Sequence, residues 1–323
     1  MRASYPVLDY VPTESESSAL DELDTFIARQ KEIEEVERDQ GLLVEALSAV
    51  PLINTIKIAC TNPFTHQILR KCWDEYTLQL YTSYLAQADQ LLRVLSAALK
   101  GGLQIRYLGH ERLLAGFFGA PGDGVEAVRE KVMQVVKKLR LRGLRVLVSE
   151  VVGSGGMHEP ELNNLKKFIS SAGIGLEELD VGFEALGCKK LGFLPISEGR
   201  LHTLSLNGVA IEPGVFFAFL EGHRETIKRL RIRFADIMPN HGSWRGFLGE
   251  LRDRYGERLE KFQITGLIKS EDGEGEIWLL SPIYKDDWTV IEKESNLVTR
   301  EIEDFVLRGG PWPKVEDHPL SFD

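Results

Sequence analysis

Cysteine is scarce in this sequence: Cys60, Cys72 and Cys188 are the only three in 323 residues. So few, so far apart and odd in number, they argue against a disulfide framework, show no metal-ligand spacing and fit a reducing compartment. Positive charge is also short. Lys and Arg number 39 against 49 Asp and Glu, a net charge of −10. Proteins that bind nucleic acid or anionic membranes in general need a surplus of cations to displace counterions, so neither is an expected partner. Long apolar runs are missing as well. The opening Met1 to Tyr10 has no apolar core behind its single Arg2, and no later run reaches the ~18 apolar residues of a membrane span. The expected location is cytoplasmic or nuclear.

Enzyme motifs are equally thin. His158-Glu159 lacks the second His of a zinc helix, and Gly153-Ser-Gly-Gly156 lacks the Gly-Lys-Ser/Thr ending of a phosphate loop. No Gly-x-Ser-x-Gly nucleophile elbow occurs. Cys188 lies beside Lys189-Lys190, which could lower its pKa, but a buried inert thiol is the better reading. His223 closes an apolar helix face and reads as a C-terminal cap. Trp244, Trp278 and Trp312 read as core and cap packing. No catalytic residue, cofactor or metal ligand is expected on this reading.

What the sequence does contain is a repeated phrase. Leu201-His-Thr-Leu204-Ser-Leu206, Ile227-Lys-Arg-Leu230-Arg-Ile232 and Leu259-Glu-Lys-Phe262-Gln-Ile264 all fit apolar-x-x-apolar-x-apolar, at intervals of 26 and 32 residues. Each is a strand with one buried face. Earlier copies stand at Ile53-Asn-Thr-Ile56-Lys-Ile58 and Leu176-Glu-Glu-Leu179-Asp-Val181. Amphipathic helices separate them: Val215, Phe216, Phe219 and Leu220 share one helical face, as do Trp244, Phe247, Leu248 and Leu251. Strand-then-helix units at 25 to 32 residues predict an irregular leucine-rich-repeat-like α/β solenoid.

The expected organisation is a flexible lead-in over residues 1–16, the solenoid over 17–267 and a C-terminal cap and tail over 268–323. Helices are expected from Ser17, from Leu42 to Pro51, over Leu85 to Leu99 and from Val125. A strand is expected through Leu103, Ile105 and Tyr107. Two readings stay open beyond Val125: Val136-Lys-Lys-Leu139-Arg-Leu141 is another strand, or the helix runs on and Leu144 to Val148 is the strand.

The run Leu204-Ser-Leu-Asn-Gly-Val-Ala-Ile-Glu-Pro213, with Phe219-Leu-Glu-Gly-His223, Thr226-Ile-Lys-Arg-Leu230 and Gly242-Ser-Trp244, resembles a group of filamentous-fungal F-box or leucine-rich-repeat-like proteins. The closing Ile302-Glu-Asp-Phe-Val-Leu-Arg-Gly-Gly-Pro-Trp-Pro313 resembles that group's C-terminal tail. The resemblance covers residues 17–58 and, more closely, 176–313. It implies a protein-recognition scaffold, the substrate arm of a ubiquitin ligase. Residues 1–50 lack the Leu-Pro opening and apolar helices of an F-box, so Skp1 is an expected partner only if an F-box exists outside this chain.

Strand residues between the buried ones face the other side, the concave surface of a solenoid. They are Glu178 and Asp180; Thr203, Ser205 and Asn207; Arg229, Arg231 and Arg233; and Lys261, Gln263 and Thr265. A strand at Val136 would add Lys138, Arg140 and Arg142. Arginine's planar fork grips carboxylate or phosphate, so this face predicts a site for a protein or an acidic or phosphorylated peptide. The same arginines also fit a solvated face paired with Glu178 and Asp180. The competing expectation is an enzyme whose site is built from long loops at 61–84 or 109–124, and a third is a truncated F-box adaptor.

Overall fold

A computed structural model describes residues 13–35, 38–58, 67, 84–119, 124–149, 157–173, 175–183, 189–190, 200–238, 242–269, 277–280 and 297–313. All three cysteines, Gly153 to Gly156, most of residues 61–84 and the Trp278 side chain lie outside them. The described elements run α1 (Glu14–Glu35), α2 (Arg38–Ser48), β1 (Thr55–Ile58), α3 (Tyr84–Lys100), β2 (Tyr107–Leu114), a 3-10 turn (Ala115–Phe118), α4 (Glu126–Leu139), β3 (Gly143–Ser149), α5 (Glu159–Ser171) and β4 (Glu178–Phe183). They continue as β5 (Lys189–Lys190), β6 (Thr203–Asn207), β7 (Val209–Ile211), α6 (Pro213–Glu221), β8 (Arg229–Arg233), β9 (Asp236–Ile237), α7 (Trp244–Tyr255), β10 (Lys261–Lys269), β11 (Ile277–Leu280) and α8 (Leu297–Arg308).

The fold is mixed α/β around a mostly parallel sheet. Its strands lie in the order β1-β2-β3-β4-β6-β8-β10-β11, so each long strand sits beside its predecessor in the chain. Every neighbour pairs parallel except β11, which runs antiparallel to β10. The register aligns the repeated phrase residue by residue: Ile56, Leu108, Leu144, Leu179, Leu204, Leu230 and Phe262 stand in one row, all of them buried. That row packs on the apolar faces of the helices, Leu91 and Leu95 of α3, Val132 and Val136 of α4, Leu165 and Phe168 of α5, Leu248 and Leu251 of α7, in one continuous core. Each such leucine contributes about 1.5–3 kcal/mol by burial.

The register exposes two phrases hidden to periodicity. Ile105-Arg-Tyr-Leu108-Gly-His110 and Leu141-Arg-Gly-Leu144-Arg-Val146 are copies of the motif, the first with a histidine in its third apolar slot. The expected strand through Leu103 and Ile105 therefore starts later, at Tyr107. Of the two readings beyond Val125, the longer helix holds. Val132, Val136 and Leu139 recur at helical spacing and are all buried, and Arg140 stops α4 in the left-handed conformation at φ 52°. Lys138, Arg140 and Arg142 are accordingly not strand-face residues. Of the segment 109–124, residues 109–118 are no open loop either: β2 extends to Leu114 and passes into the turn that buries Phe117 and Phe118.

At the N-terminal end, α1 begins at Glu14, inside the expected lead-in. Thr13 and Glu16 form a capping box, the Thr13 N–H donating to the Glu16 carboxylate at 2.8 Å and the Glu16 N–H to Thr13 Oγ1 at 3.3 Å. At the other end β11 pairs with Gly266 to Lys269 of β10, and the Glu303 carboxylate of α8 accepts the Ile264 N–H at 3.3 Å. The last parallel strand is thus covered along its outer edge.

A second, three-stranded parallel sheet, β5-β7-β9, was not expected. Two of its strands follow turns just past the main strands, β7 after Gly208 (φ 64°) and β9 after Phe234 (φ 46°); Gly266 (φ 112°) holds the equivalent place inside β10, and the three follow the register partners Asn207, Arg233 and Thr265. Glycine suits that left-handed turn and phenylalanine does not. Phe234 nonetheless occupies it with its ring 62% exposed. A Cβ on Gly266 would fall 2.8 Å from the Phe234 Cα, so the neighbouring position admits only glycine.

Candidate functional site: a groove on the polar strand face

The strand faces opposite the core carry polar residues in register. A lower row reads Thr55, Tyr107, Gly143, Glu178, Thr203, Arg229 and Lys261, and a middle row Lys57, Gly109, Arg145, Asp180, Ser205, Arg231 and Gln263. An upper row holds Gly182, Asn207, Arg233 and Thr265. The structure therefore brings Glu178, Asp180, Thr203, Ser205, Asn207, Arg229, Arg231, Arg233 and Lys261 onto one face, as the alternation predicts.

It does not leave them equivalent. Glu178, Arg229 and Lys261 are exposed along the lower row, whereas Thr203, Ser205, Arg231, Gln263 and Thr265 are buried. Arg231 is only 4% exposed, and its Nε donates to Gln263 Oε1 at 2.7 Å. Arg233 reaches across two strands: its Nη2 donates to Asp180 Oδ1 at 3.1 Å, to Oδ2 at 3.3 Å and to Ser205 Oγ at 3.4 Å. Arg145 approaches the same carboxylate from the other side, Nε to Oδ2 3.5 Å. Asn207 Nδ2 donates to the Phe183 carbonyl at 3.4 Å. The three arginines of β8 are thus one exposed cation, one buried and one tied to Asp180.

The open part of the face lies towards β1. A shallow groove of ≈ 250 Å³ runs across β1 to β8, between Lys57 at one end and Ser205 and Arg231 at the other. Its floor is set by two glycines. The Tyr107 ring fills the place of a side chain at Gly143, where a Cβ would lie 2.3 Å from Tyr107 Cδ1. Gly109 leaves real space, since a Cβ there would meet nothing nearer than Lys57 Cγ at 3.6 Å. Lys57 pairs with Glu111, Nζ to Oε1 2.6 Å. Sequence reasoning missed Lys57, Tyr107, Gly109, Gly143 and Arg145. The signal was present in the Ile105-x-x-Leu108 and Leu141-x-x-Leu144 spacings, which place Gly109 and Arg145 between buried strand residues.

Four described side chains that could do chemistry, His158, His223, His110 and Tyr255, sit in structural surroundings. His158 opens α5, its N–H donating to the Glu161 carboxylate. His223 is buried with its ring 4.9 Å from that of Phe219. His110 faces the core, and burial pushes its pKa down to about 4, with nearby Glu111 opposing the shift. Burial and a hydrogen bond to Glu221 push the Tyr255 phenol up to about 12. Among the described residues no group of three or more His, Cys, Asp or Glu is placed to hold a metal ion, and no described helix is long and apolar enough to cross a membrane.

Comparison with known proteins returns no match: no family model, no curated protein and no solved structure matches the chain.

Proposed function

We propose that this chain is a non-catalytic protein-interaction scaffold, an irregular leucine-rich-repeat-like solenoid that binds a partner protein or an acidic or phosphorylated peptide through its polar strand face. The observation that carries the reading is the register itself. Seven copies of one phrase lie in neighbouring parallel strands in chain order; their apolar slots, with His110 in one of them, face one side, and a mostly polar set broken by Gly109, Gly143 and Gly182 faces the other. A repeat array built that way stabilises itself with one face and offers the other. Charge supports an anionic partner. Among the described residues the strand face carries six cations, Lys57, Arg145, Arg229, Arg231, Arg233 and Lys261, against three acids, Glu111, Glu178 and Asp180, on a chain whose net charge is −10.

The reading extends, on the resemblance to fungal F-box or leucine-rich-repeat-like proteins, to substrate recognition in a ubiquitin ligase of the cytoplasm or nucleus. The test is affinity purification from the source cell with the native chain and with a Lys57→Glu/Arg229→Glu variant, both residues being exposed on the strand face. Partners lost with the variant, whose fold is checked by circular dichroism, support the reading, and co-purifying Skp1 and cullin assign the ligase role. An unchanged partner list rejects the strand face as the binding surface.

A further inference from the structure

The two ends of the strand array are finished differently. In the last copy of the phrase Leu259, Phe262 and Ile264 are all buried, beside β11 and α8. In the first copy only Ile56 is buried, and Ile53 and Ile58 stay half-buried. The first apolar slot of every later copy, from Ile105 to Leu259, is buried. The residue just before that slot is polar or glycine in the six later copies: Gln104, Arg140, Gly175, Arg200, Thr226 and Arg258. In the first copy it is Leu52, and it is 93% exposed.

The backbone shows the same asymmetry. In each of the six later copies two successive N–H groups donate to one carbonyl of the unit before. Arg106 and Tyr107 donate to the Asn54 carbonyl at 2.7 and 3.0 Å, and the pattern recurs through to Glu260 and Lys261, which donate to that of Lys228 at 2.8 and 3.2 Å. The equivalent pair in the first copy is Asn54 and Thr55, both exposed. Among the described residues no strand stands before β1 to supply their carbonyl. Alternation along a parallel strand turns the Lys57 N–H to the same open side. Lysine on an edge strand usually discourages pairing, but Lys57 is drawn to the neighbouring strand by Glu111.

We infer that the open edge of β1 is a second docking site, separate from the polar strand face, which takes an extended segment of a partner protein as an added parallel strand. One carbonyl of the segment accepts the Asn54 and Thr55 N–H groups, as a carbonyl does at every later copy. Apolar side chains at alternate positions of the segment continue the row that begins at Ile56 and cover Ile58. The segment is therefore expected to read apolar-x-apolar, like the phrase itself. A second copy of this chain fits the edge less well. Two-fold symmetry would bring two β1 strands together antiparallel, whereas the paired N–H groups are arranged for a parallel neighbour.

The experiment is selection of a random peptide library on the full-length chain, then fluorescence-polarisation titration of the best peptide, N-methylated at one amide at a time. Amide hydrogen exchange of the chain is measured with and without that peptide. Methylation at alternate amides should weaken binding at least about tenfold and at the amides between should change little. The Asn54, Thr55 and Lys57 amides should exchange freely in the chain alone and slowly in the complex. Thr55→Pro removes one of these N–H groups at the first residue of an edge strand, where proline is tolerated. It should abolish binding at an unchanged Tm, while Thr55→Val, which keeps the N–H, and Lys131→Gln on the exposed side of α4 should bind as the native chain does. Asn54 and Thr55 amides already protected in the chain alone, or a Tm lowered by Thr55→Pro, would show that the chain fills its own edge and would overturn the proposal. Binding indifferent to N-methylation, self-association in place of peptide binding, or no selected peptide overturns it too. Thr55→Pro leaves the side chains of the polar face in place. Peptides that survive it but are lost with Lys57→Glu/Arg229→Glu would therefore reject the edge and leave the strand face standing.

Discussion

His110 is the residue where the repeat breaks its own rule. It fills the third apolar slot of the second phrase, next to Val146 in register, and is buried. Its Nδ1 accepts the Arg112 N–H at 3.3 Å, so the ring has a partner only as the neutral form. Its folded pKa of about 4 lies below the ordinary 6.5, so the folded state disfavours the charged ring. The associated stability is present above the unfolded pKa and is lost as pH falls from 6.5 towards 4. Between about pH 7.5 and about pH 5 this one group should cost about 2 kcal/mol. Urea denaturation at the two pH values checks it: His110→Val, which restores the phrase, should lack that part of the acid sensitivity, and an unchanged difference would place the loss elsewhere. The residue scale is also where sequence reasoning was weakest. Alternation puts Arg229, Arg231 and Arg233 on one face, and they are there, but it carries no information on side-chain reach. Gln263 and Asp180, 32 and 53 positions distant from their arginines, decide that two of the three are held.

At the scale of elements, most boundaries were legible because burial and period coincide. The two open readings around Val136 were decided by α4's buried stripe, which an apolar-x-x-apolar-x-apolar match cannot distinguish from a helix face spaced three and five apart. The second sheet was illegible for a different reason: strands of two or three residues are too short to show a period, and the turn that creates them sits on glycine at Gly208 but on phenylalanine at Phe234. Polar anchoring between elements was equally hidden. The buried Arg129 of α4 donates from Nη1 to the carbonyls of Phe117 at 3.1 Å and Gly119 at 3.0 Å, and Asn164 of α5 donates from Nδ2 to those of Phe118 at 3.0 Å and Gly119 at 3.2 Å. These two side chains satisfy the end of a turn whose rings, Phe117 and Phe118, pack edge-on against each other and Phe168. Arg129→Met should cost roughly 2–4 kcal/mol, because a buried carbonyl left unpaired carries its desolvation penalty. Both residues share the Gly119 oxygen, so a double-mutant cycle with Asn164→Ala should show non-additivity. Additive losses would mean that the two anchors act independently.

For the whole molecule, the decisive property is that sheet neighbours are also sequence neighbours. The apolar rows nevertheless join into one core from Ile56 to Val306, so a defect at one row is felt first by the two beside it. Leu204 lies in the middle of that order, fully buried, between Leu179 of β4 and Leu230 of β8. Leu204→Asp removes about 1.5–3 kcal/mol of burial and adds the penalty of a carboxylate among apolar neighbours. Together these are on the order of the whole stability of an ordinary domain. Because sheet neighbours are consecutive in the chain, such damage should spread to adjoining units before distant ones. The elements from β6 onward, including the β11 and α8 cap that depends on β10, should lose amide-exchange protection. The α3 to β3 units, which pack on one another and reach the later strands through β4, should keep part of theirs. Hydrogen exchange read segment by segment distinguishes this from the alternative. Uniform loss of protection from β1 to α8 would show that the chain unfolds as one indivisible unit, and retained protection in β6 to β10 would contradict the burial of Leu204.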